Sequence, residues 1–263
     1  MYVTVNQLSL AYDDEGSGIP VLWVHGYPLN RTLWKPQLDG LADIARGLAL
    51  DLRGHGESQG SSGAYPMDLL ADDCAAFLDA LEIRQPVVLA GLSMGGYACM
   101  AFCRRHADRL AGLILCATRA RADSPEGKQN RTNSAALAQE RGVAAAVSGL
   151  LNKLMAPVTY RRRPDLVDRV KSMTEETPLE GVVGDLLGMR DRPDSFSTLA
   201  AFKLPTLILH GAEDQIIPPS EAEDMQATLP NARLTIIPDA GHLLNLEQPH
   251  AFNVAVRRYL AQF

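Results

Sequence analysis

The sequence has no apolar run approaching the roughly 18 residues that cross a bilayer as a helix, and residues 1–10 carry no basic segment followed by an apolar one. Neither a membrane span nor a secretory leader is therefore expected. There is no Cys-x-x-Cys pair. The four cysteines, Cys74, Cys99, Cys103 and Cys116, all fall inside apolar-patterned segments, and Cys99 and Cys103, four apart, share a helix face. Buried free thiols and a reducing, cytoplasmic location are the expectation. The chain has no HExxH, no paired Cys/His ligand set and no GxxxxGK(S/T). Its glycines at 53–56 are too few and wrongly placed for a dinucleotide fingerprint, so no metal and no cofactor is expected. Positive charge is the scarcer sign: 25 Lys and Arg stand against 31 Asp and Glu, a formal net charge of −6. That balance gives no reason to expect nucleic acid or an anionic membrane as a partner. Internal repeats and low-complexity tracts are absent, and no feature sets an oligomeric state.

What is present is a chain of 263 residues, 46% apolar and 21% charged, long enough for one large α/β domain. Residues 3–5 and 8–12, around Asn6-Gln7, read as an opening hairpin. Short apolar runs at 20–24, 47–50, 86–90 and 110–116 read as buried strands. The first ends in His25-Gly26 and the second in the glycine-rich turn 51–56. Residues 33–41 suit a short helix, and 67–81 set Leu70, Cys74, Phe77, Leu78 and Leu81 at helical period. Residues 95–105 suit a helix rich in small residues. From about 118 to 197 no strand is expected, and helical stretches at 135–155, 166–173 and 179–189 are broken up by Arg, Asp, Pro and Gly. Alternation then resumes with a strand at 204–209, a helix at 220–229, a strand at 233–237 and a helix at 250–263. Strands alternating with helices predict an α/β fold, with a mostly parallel central sheet flanked by helices. The domain reading is a core of residues 1–117 and 198–263, with 118–197 inserted as a helical cap.

The strongest chemical signal is Gly91-Leu92-Ser93-Met94-Gly95, followed by Gly96. It stands between an apolar strand and a small-residue helix. A G-x-S-x-G turn in that setting is tight enough to demand glycine at its flanks, and it lifts the serine hydroxyl clear of the sheet edge. The helix beginning there aims free N–H groups and its positive dipole end at an oxyanion. A serine hydroxyl needs a base within reach. Of six histidines, His242 follows Asp239-Ala240-Gly241 just past a strand, at the sheet edge where loops of an open α/β sheet converge. His25 and His210 also end strands but sit directly before glycines, and are expected as packed histidines with satisfied nitrogens. His55 belongs to a glycine turn and is expected to be structural. His106 and His250 suit helix surfaces. The orienting carboxylate is expected at Asp214, just past the strand 204–209, with its neighbour Glu213 as a decoy.

From its first strands to its last helix, the chain resembles the α/β-hydrolase-fold enzymes, and among them the capped esterases, enol-lactonases and cofactor-free haloperoxidases. Four motifs carry the resemblance. His25-Gly26-Tyr27-Pro28 is similar to the oxyanion loop, and Asp51-Leu52-Arg53-Gly54-His55-Gly56-Glu57-Ser58 to the turn after the next parallel strand. The others are the nucleophile turn and the pair Gly211…Asp214 with Gly241-His242, in the order nucleophile, acid, base. The resemblance implies an α/β-hydrolase fold and an oxyanion hole made by the backbone N–H groups of Tyr27 and Met94. Pro28 has no N–H and is not a donor. Tyr27, Met94 and Leu243 are the expected pocket residues.

Haloalkane dehalogenases and epoxide hydrolases place Asp where this chain has Ser93, which argues against both. Acyl transfer to water is the default for a serine. The expected function is a serine hydrolase of small carboxylic esters, working through an acyl-enzyme on Ser93. A lactonase, for an enol-lactone or an acyl-homoserine lactone, is the alternative, with perhydrolase or haloperoxidase side activity. Outside enzymes the alternative is a ligand receptor on the same fold, separable by its slow turnover. The expected partner is a small-molecule ester or lactone. In the insertion, Arg161-Arg162-Arg163 is expected to be a solvated face rather than a carboxylate site.

Overall fold

The computed structural model describes residues 1–263. The chain opens with the antiparallel pair β1 (Tyr2–Val5) and β2 (Leu8–Gly16), the hairpin foreseen around Asn6-Gln7. Strands β3 (Ile19–Val24), β4 (Ala45–Leu50), β5 (Val87–Leu92), β6 (Leu110–Cys116), β7 (Thr206–Gly211) and β8 (Ala232–Ile237) follow. They form one eight-stranded sheet in the order β1-β2-β4-β3-β5-β6-β7-β8. From β4 to β8 every neighbouring pair is parallel. Parallel strands need crossovers, and helices supply them: α1 (Lys35–Leu41), α2 (Met67–Ala80), α3 (Met94–Arg105) and, after the insertion, α10 (Pro219–Thr228); α11 (Leu244–Glu247) and α12 (Pro249–Leu260) follow the last strand.

Both faces of the sheet are covered, so strands such as Val87–Leu92 are buried along their whole length and read as unbroken apolar runs. One core joins alternate strand residues such as Leu22, Leu48 and Leu89 to α2 and α3. The other joins Val21, Trp23 and Val88 to α1 and α12, with Trp23 and Trp34 4.8 Å apart at their ring centres. All four cysteines are free and buried, and burial pushes the Cys103 thiol up to about 12.

Between Cys116 and Thr206 the chain makes six helices and no strand: α4 (Pro125–Arg141), α5 (Val143–Leu151), α6 (Pro157–Arg162), α7 (Pro164–Glu175), α8 (Leu179–Arg190) and α9 (Phe196–Ala201). The stretch read as helical at 135–155 is two elements broken at Gly142, and α6 was not anticipated. Its six residues, opened by Pro157, are too short to show an amphipathic period. The boundary expected at 197 falls inside α9, which packs on α3 and α10. Helices α4 and α8 pack on each other above the sheet edge. The insertion is tied to the core by Tyr65 N–H to Gly184 O at 2.8 Å, Thr177 Oγ1 to Pro28 O at 2.9 Å and Leu243 N–H to Leu154 O at 3.0 Å. No helix is long and apolar enough to cross a membrane.

Candidate active site

The carboxyl ends of β3, β5, β7 and β8 lead into the segments singled out above, the place where parallel sheets gather ligands. Ser93 sits between β5 and α3 at φ 53° and ψ −112°, a conformation that costs a non-glycine residue about 1–3 kcal/mol. Four hydrogen bonds hold it there. Its N–H donates to Cys116 O at 2.8 Å, and its carbonyl accepts from Gly96 N–H at 2.9 Å, Tyr97 N–H at 3.3 Å and Thr118 Oγ1 at 2.7 Å. The flanking glycines are required by contact. A Cβ on Gly91 would lie 2.3 Å from Gly95 O, and one on Gly95 would lie 2.3 Å from Val24 O and 2.6 Å from His25 O. The second contact shows how closely the start of α3 rests on the end of β3, where Tyr27 follows. The N–H groups of Tyr27 and Met94 have no acceptor within the protein.

The loops after β7 and β8 are stitched together by Ala212 N–H to Ile237 O and Glu213 N–H to Ala240 O, both 2.9 Å. This brings His242 Nδ1 to 2.8 Å from Asp214 Oδ2, with both residues buried. Oδ1 of Asp214 accepts from the N–H groups of Ile216 and Ile217 at 2.8 and 3.0 Å. Burial opposes ionisation of this carboxyl, but His242, His210 and the backbone donors outweigh it and hold Asp214 well below the usual carboxylate range. An ionised Asp214 makes Nδ1 of His242 the protonated nitrogen and leaves Nε2 as a base. Glu213 makes no side-chain hydrogen bond, and Asp239 is exposed.

Three features were not anticipated. His210 is not fully satisfied: Nε2 lies 2.8 Å from Ile217 O and 3.3 Å from Asp214 Oδ2, while Nδ1 is buried without a partner. Its position four residues before Asp214 is a signal the sequence did carry. His55 does more than fill a turn, for its Nε2 lies 3.1 Å from Asp185 of α8, off the line of a hydrogen bond. Glu247 is a buried carboxylate behind the His242 loop. Its Oε1 accepts from Gly241 N–H at 2.8 Å, and its Oε2 accepts from Ala156 N–H at 2.7 Å and Thr159 Oγ1 at 2.6 Å. Such long-range partners have no spacing to read. His25 is satisfied as expected, by Gly26 O and Leu52 N–H. His250 is exposed on α12, and His106 lies just past the end of α3, 2.8 Å from Asp72.

A cavity of about 540 Å³ is lined by residues of α4, α5 and α8 together with Tyr27 of the loop after β3 and Gln215 and Ile216 of the loop after β7. Tyr27 lines it. Leu243 and Met94, also expected at the pocket wall, are fully buried in the two apolar cores instead. Arg161, Arg162 and Arg163 are exposed, away from the cavity. No group of three or more His, Cys, Asp or Glu side chains is gathered as a metal site.

Comparison with known proteins agrees with this architecture. The chain is 44% identical to a thermophilic esterase from Thermogutta terrifontis solved with malate bound, with a TM-score of 0.96 over 100% of this chain and 98% of that one. It is 28% identical to the enol-lactonase from Burkholderia xenovorans LB400, with a TM-score of 0.93 over 99% and 100% of the two chains. A non-heme haloperoxidase from Rhodococcus erythropolis is 32% identical over 249 residues, 88% of each chain. The model of the α/β hydrolase fold matches residues 19–249, and the chain belongs to that family.

Proposed function

We propose that the protein is a serine hydrolase of small carboxylic esters, with Ser93 as nucleophile, His242 as general base and Asp214 as the acid that orients it. The observation that carries this reading is a histidine held through Nδ1 by a buried carboxylate, at the same sheet edge as a serine in a strained turn. In the reaction Ser93 Oγ attacks the ester carbonyl while His242 Nε2 takes its proton. The N–H groups of Tyr27 and Met94, free of protein acceptors, receive the oxyanion. Each such donor is worth about 2.7–4 kcal/mol in the transition state. Collapse expels the alkoxide, which takes the proton from Nε2. Water, deprotonated by the same nitrogen, then attacks the acyl-enzyme and releases the acid.

The insertion is proposed as the cap that chooses the substrate, because its helices line the cavity together with the loops after β3 and β7. A lactone is an ester closed on itself and needs the same groups. The likeness to an enol-lactonase over the full chain favours it as the second reading. The test is steady-state hydrolysis of p-nitrophenyl acetate, with organophosphate labelling followed by peptide mapping. Turnover above about 1 s⁻¹ is expected for an enzyme rather than a receptor. Ser93→Ala should remove nearly all of it and leave the fold intact. A label on any other residue refutes the assignment.

A further inference from the structure

The two N–H groups proposed to receive the oxyanion belong to peptides whose carbonyls are both engaged. A trans peptide is planar, so its N–H and C=O point in opposite directions. The peptides 26–27 and 93–94 are trans. The N–H of Met94 shares its plane with the carbonyl of Ser93, and the N–H of Tyr27 with that of Gly26. Whatever holds those two carbonyls aims the two N–H groups.

Ser93 O accepts three hydrogen bonds. Gly96 N–H at 2.9 Å and Tyr97 N–H at 3.3 Å are what the first turn of α3 supplies. The third and shortest comes from outside the helix: Thr118 Oγ1 at 2.7 Å, from the segment after β6. Thr118 is wholly buried. Two other residues make room for this contact. Ala117 sits at φ 43°, in the left-handed region that side chains disfavour, and turns the chain at the end of β6. Gly96, the further glycine after the G-x-S-x-G turn, leaves space for the hydroxyl. A Cβ there would lie 2.5 Å from Thr118 Oγ1 and 2.6 Å from its Cβ and Cγ2. The peptide of the other donor is held in the same way. Gly26 O accepts from Leu29 N–H and from His25 Nδ1, both at 2.9 Å. His25 Nε2 accepts from Leu52 N–H at 3.1 Å, which leaves Nδ1 as the nitrogen that carries the proton.

We infer that Thr118 is a positioning residue of the oxyanion hole: its hydroxyl, bonded to the carbonyl of Ser93, fixes and polarises the peptide whose N–H, that of Met94, receives the oxyanion. This rests on the serine-hydrolase reading. A hydrogen bond accepted at the carbonyl draws electron density from the amide nitrogen and makes its N–H a stronger donor. A peptide already fixed in the free enzyme need not turn as the charge develops. Thr118 touches no reacting atom, so its loss should fall on kcat and leave ground-state binding alone.

The test compares Thr118→Ala with Thr118→Ser, which differ by the hydroxyl. With p-nitrophenyl acetate, Thr118→Ala should lower kcat about tenfold and leave KM within about twofold. A directly bonded oxyanion donor is worth about 10²–10³ in kcat, and a group acting through a peptide less. Thr118→Ser should stay within about threefold of the wild type. Gly96→Ala, which crowds the hydroxyl away and keeps Thr118, should reproduce the loss. A second readout needs no turnover: inhibition by trifluoroacetophenone. Ser93 Oγ adds to its carbonyl carbon, the serine proton passes to His242, and the carbonyl oxygen becomes an oxyanion. Its affinity should fall with kcat/KM in Thr118→Ala and return in Thr118→Ser. Inhibition by acetophenone, which forms no stable adduct, should not change. Wild-type kcat in Thr118→Ala or Gly96→Ala overturns the inference, as does a Thr118→Ser protein as slow as Thr118→Ala. A lower kcat with undiminished affinity for trifluoroacetophenone also overturns it and assigns Thr118 to the fold alone. In each of these cases Ser93-dependent turnover by the wild type leaves the hydrolase reading standing. A wild type without turnover that Ser93→Ala removes sinks that reading, and this inference with it.

Discussion

At the scale of single residues, Asp214 bears most of the electrostatics. One oxygen takes two backbone N–H groups and the other takes His242. Asp214→Asn removes the charge that favours a protonated Nδ1 and turns one acceptor into a donor. A fall in kcat on the order of 10⁴ is expected, as for other triad acids. Glu213→Gln should leave kcat within a factor of about two, since surface changes rarely matter. The reverse pattern would move the acid to Glu213. Because Asp214 stays ionised well below the usual range, it should add no second proton to the acid limb of kcat/KM. A log–log slope of two would contradict this. The same depressed carboxyl sets an acid dependence of stability. Its contribution is fully present above the unfolded value near ~3.9 and is lost as pH falls toward the folded one. Urea unfolding at pH 3 against pH 6 should therefore cost the wild type more stability than Asp214→Asn.

At the scale of elements, the His242 loop is braced by a segment of the insertion, through Glu247 and through Leu154 O. Burial pushes the Glu247 carboxyl up despite its three donors. Gln in its place has one accepting oxygen, so an N–H of Gly241 or Ala156 must face an NH₂. Leaving such a buried donor unpaired costs about 1–3 kcal/mol. Glu247→Gln should lose that much stability in urea and lower kcat more than it raises KM, because the loop it holds carries His242, the proposed base. A variant with normal kcat and only lower stability would assign Glu247 to the fold alone.

For the whole molecule, the buried contact between His55 and Asp185 ties α8 to the turn after β4. Burial raises the Asp185 carboxyl, with His55 opposing. On His55 burial acts downward, and Asp185 reverses it so that the imidazole titrates above its ordinary value. Removing one partner strands a buried polar group. His55→Leu and Asp185→Leu should each destabilise by about 3–5 kcal/mol, whereas the two together should recover much of the loss. Chemical denaturation of the four proteins forms the cycle, and strictly additive losses would show that the pair is not coupled. The amides of α8 should exchange faster in each single variant, before global unfolding.

How much was legible follows from the range of the interactions. The strands at 20–24, 47–50, 86–90, 110–116 and 204–209 were readable because a parallel sheet covered on both faces needs continuous apolar runs, a local property. The turn at Ser93 was readable because only glycine fits beside it, and a steric demand leaves its mark on adjacent residues. The pairing of His242 with Asp214 was foreseeable because both follow neighbouring parallel strands. The sequence by itself thus determined the α/β architecture and the segments that reach one sheet edge. Only the tertiary structure decided what those segments touch. It buried Leu243 and Met94, set His210 against Asp214, and tied Glu247 to the His242 loop. It also gathered Arg131, Lys153 and Asp123, from separate stretches of the insertion, around one cavity. Contacts between residues distant in sequence have no period or spacing, so they exist only once the helices have packed.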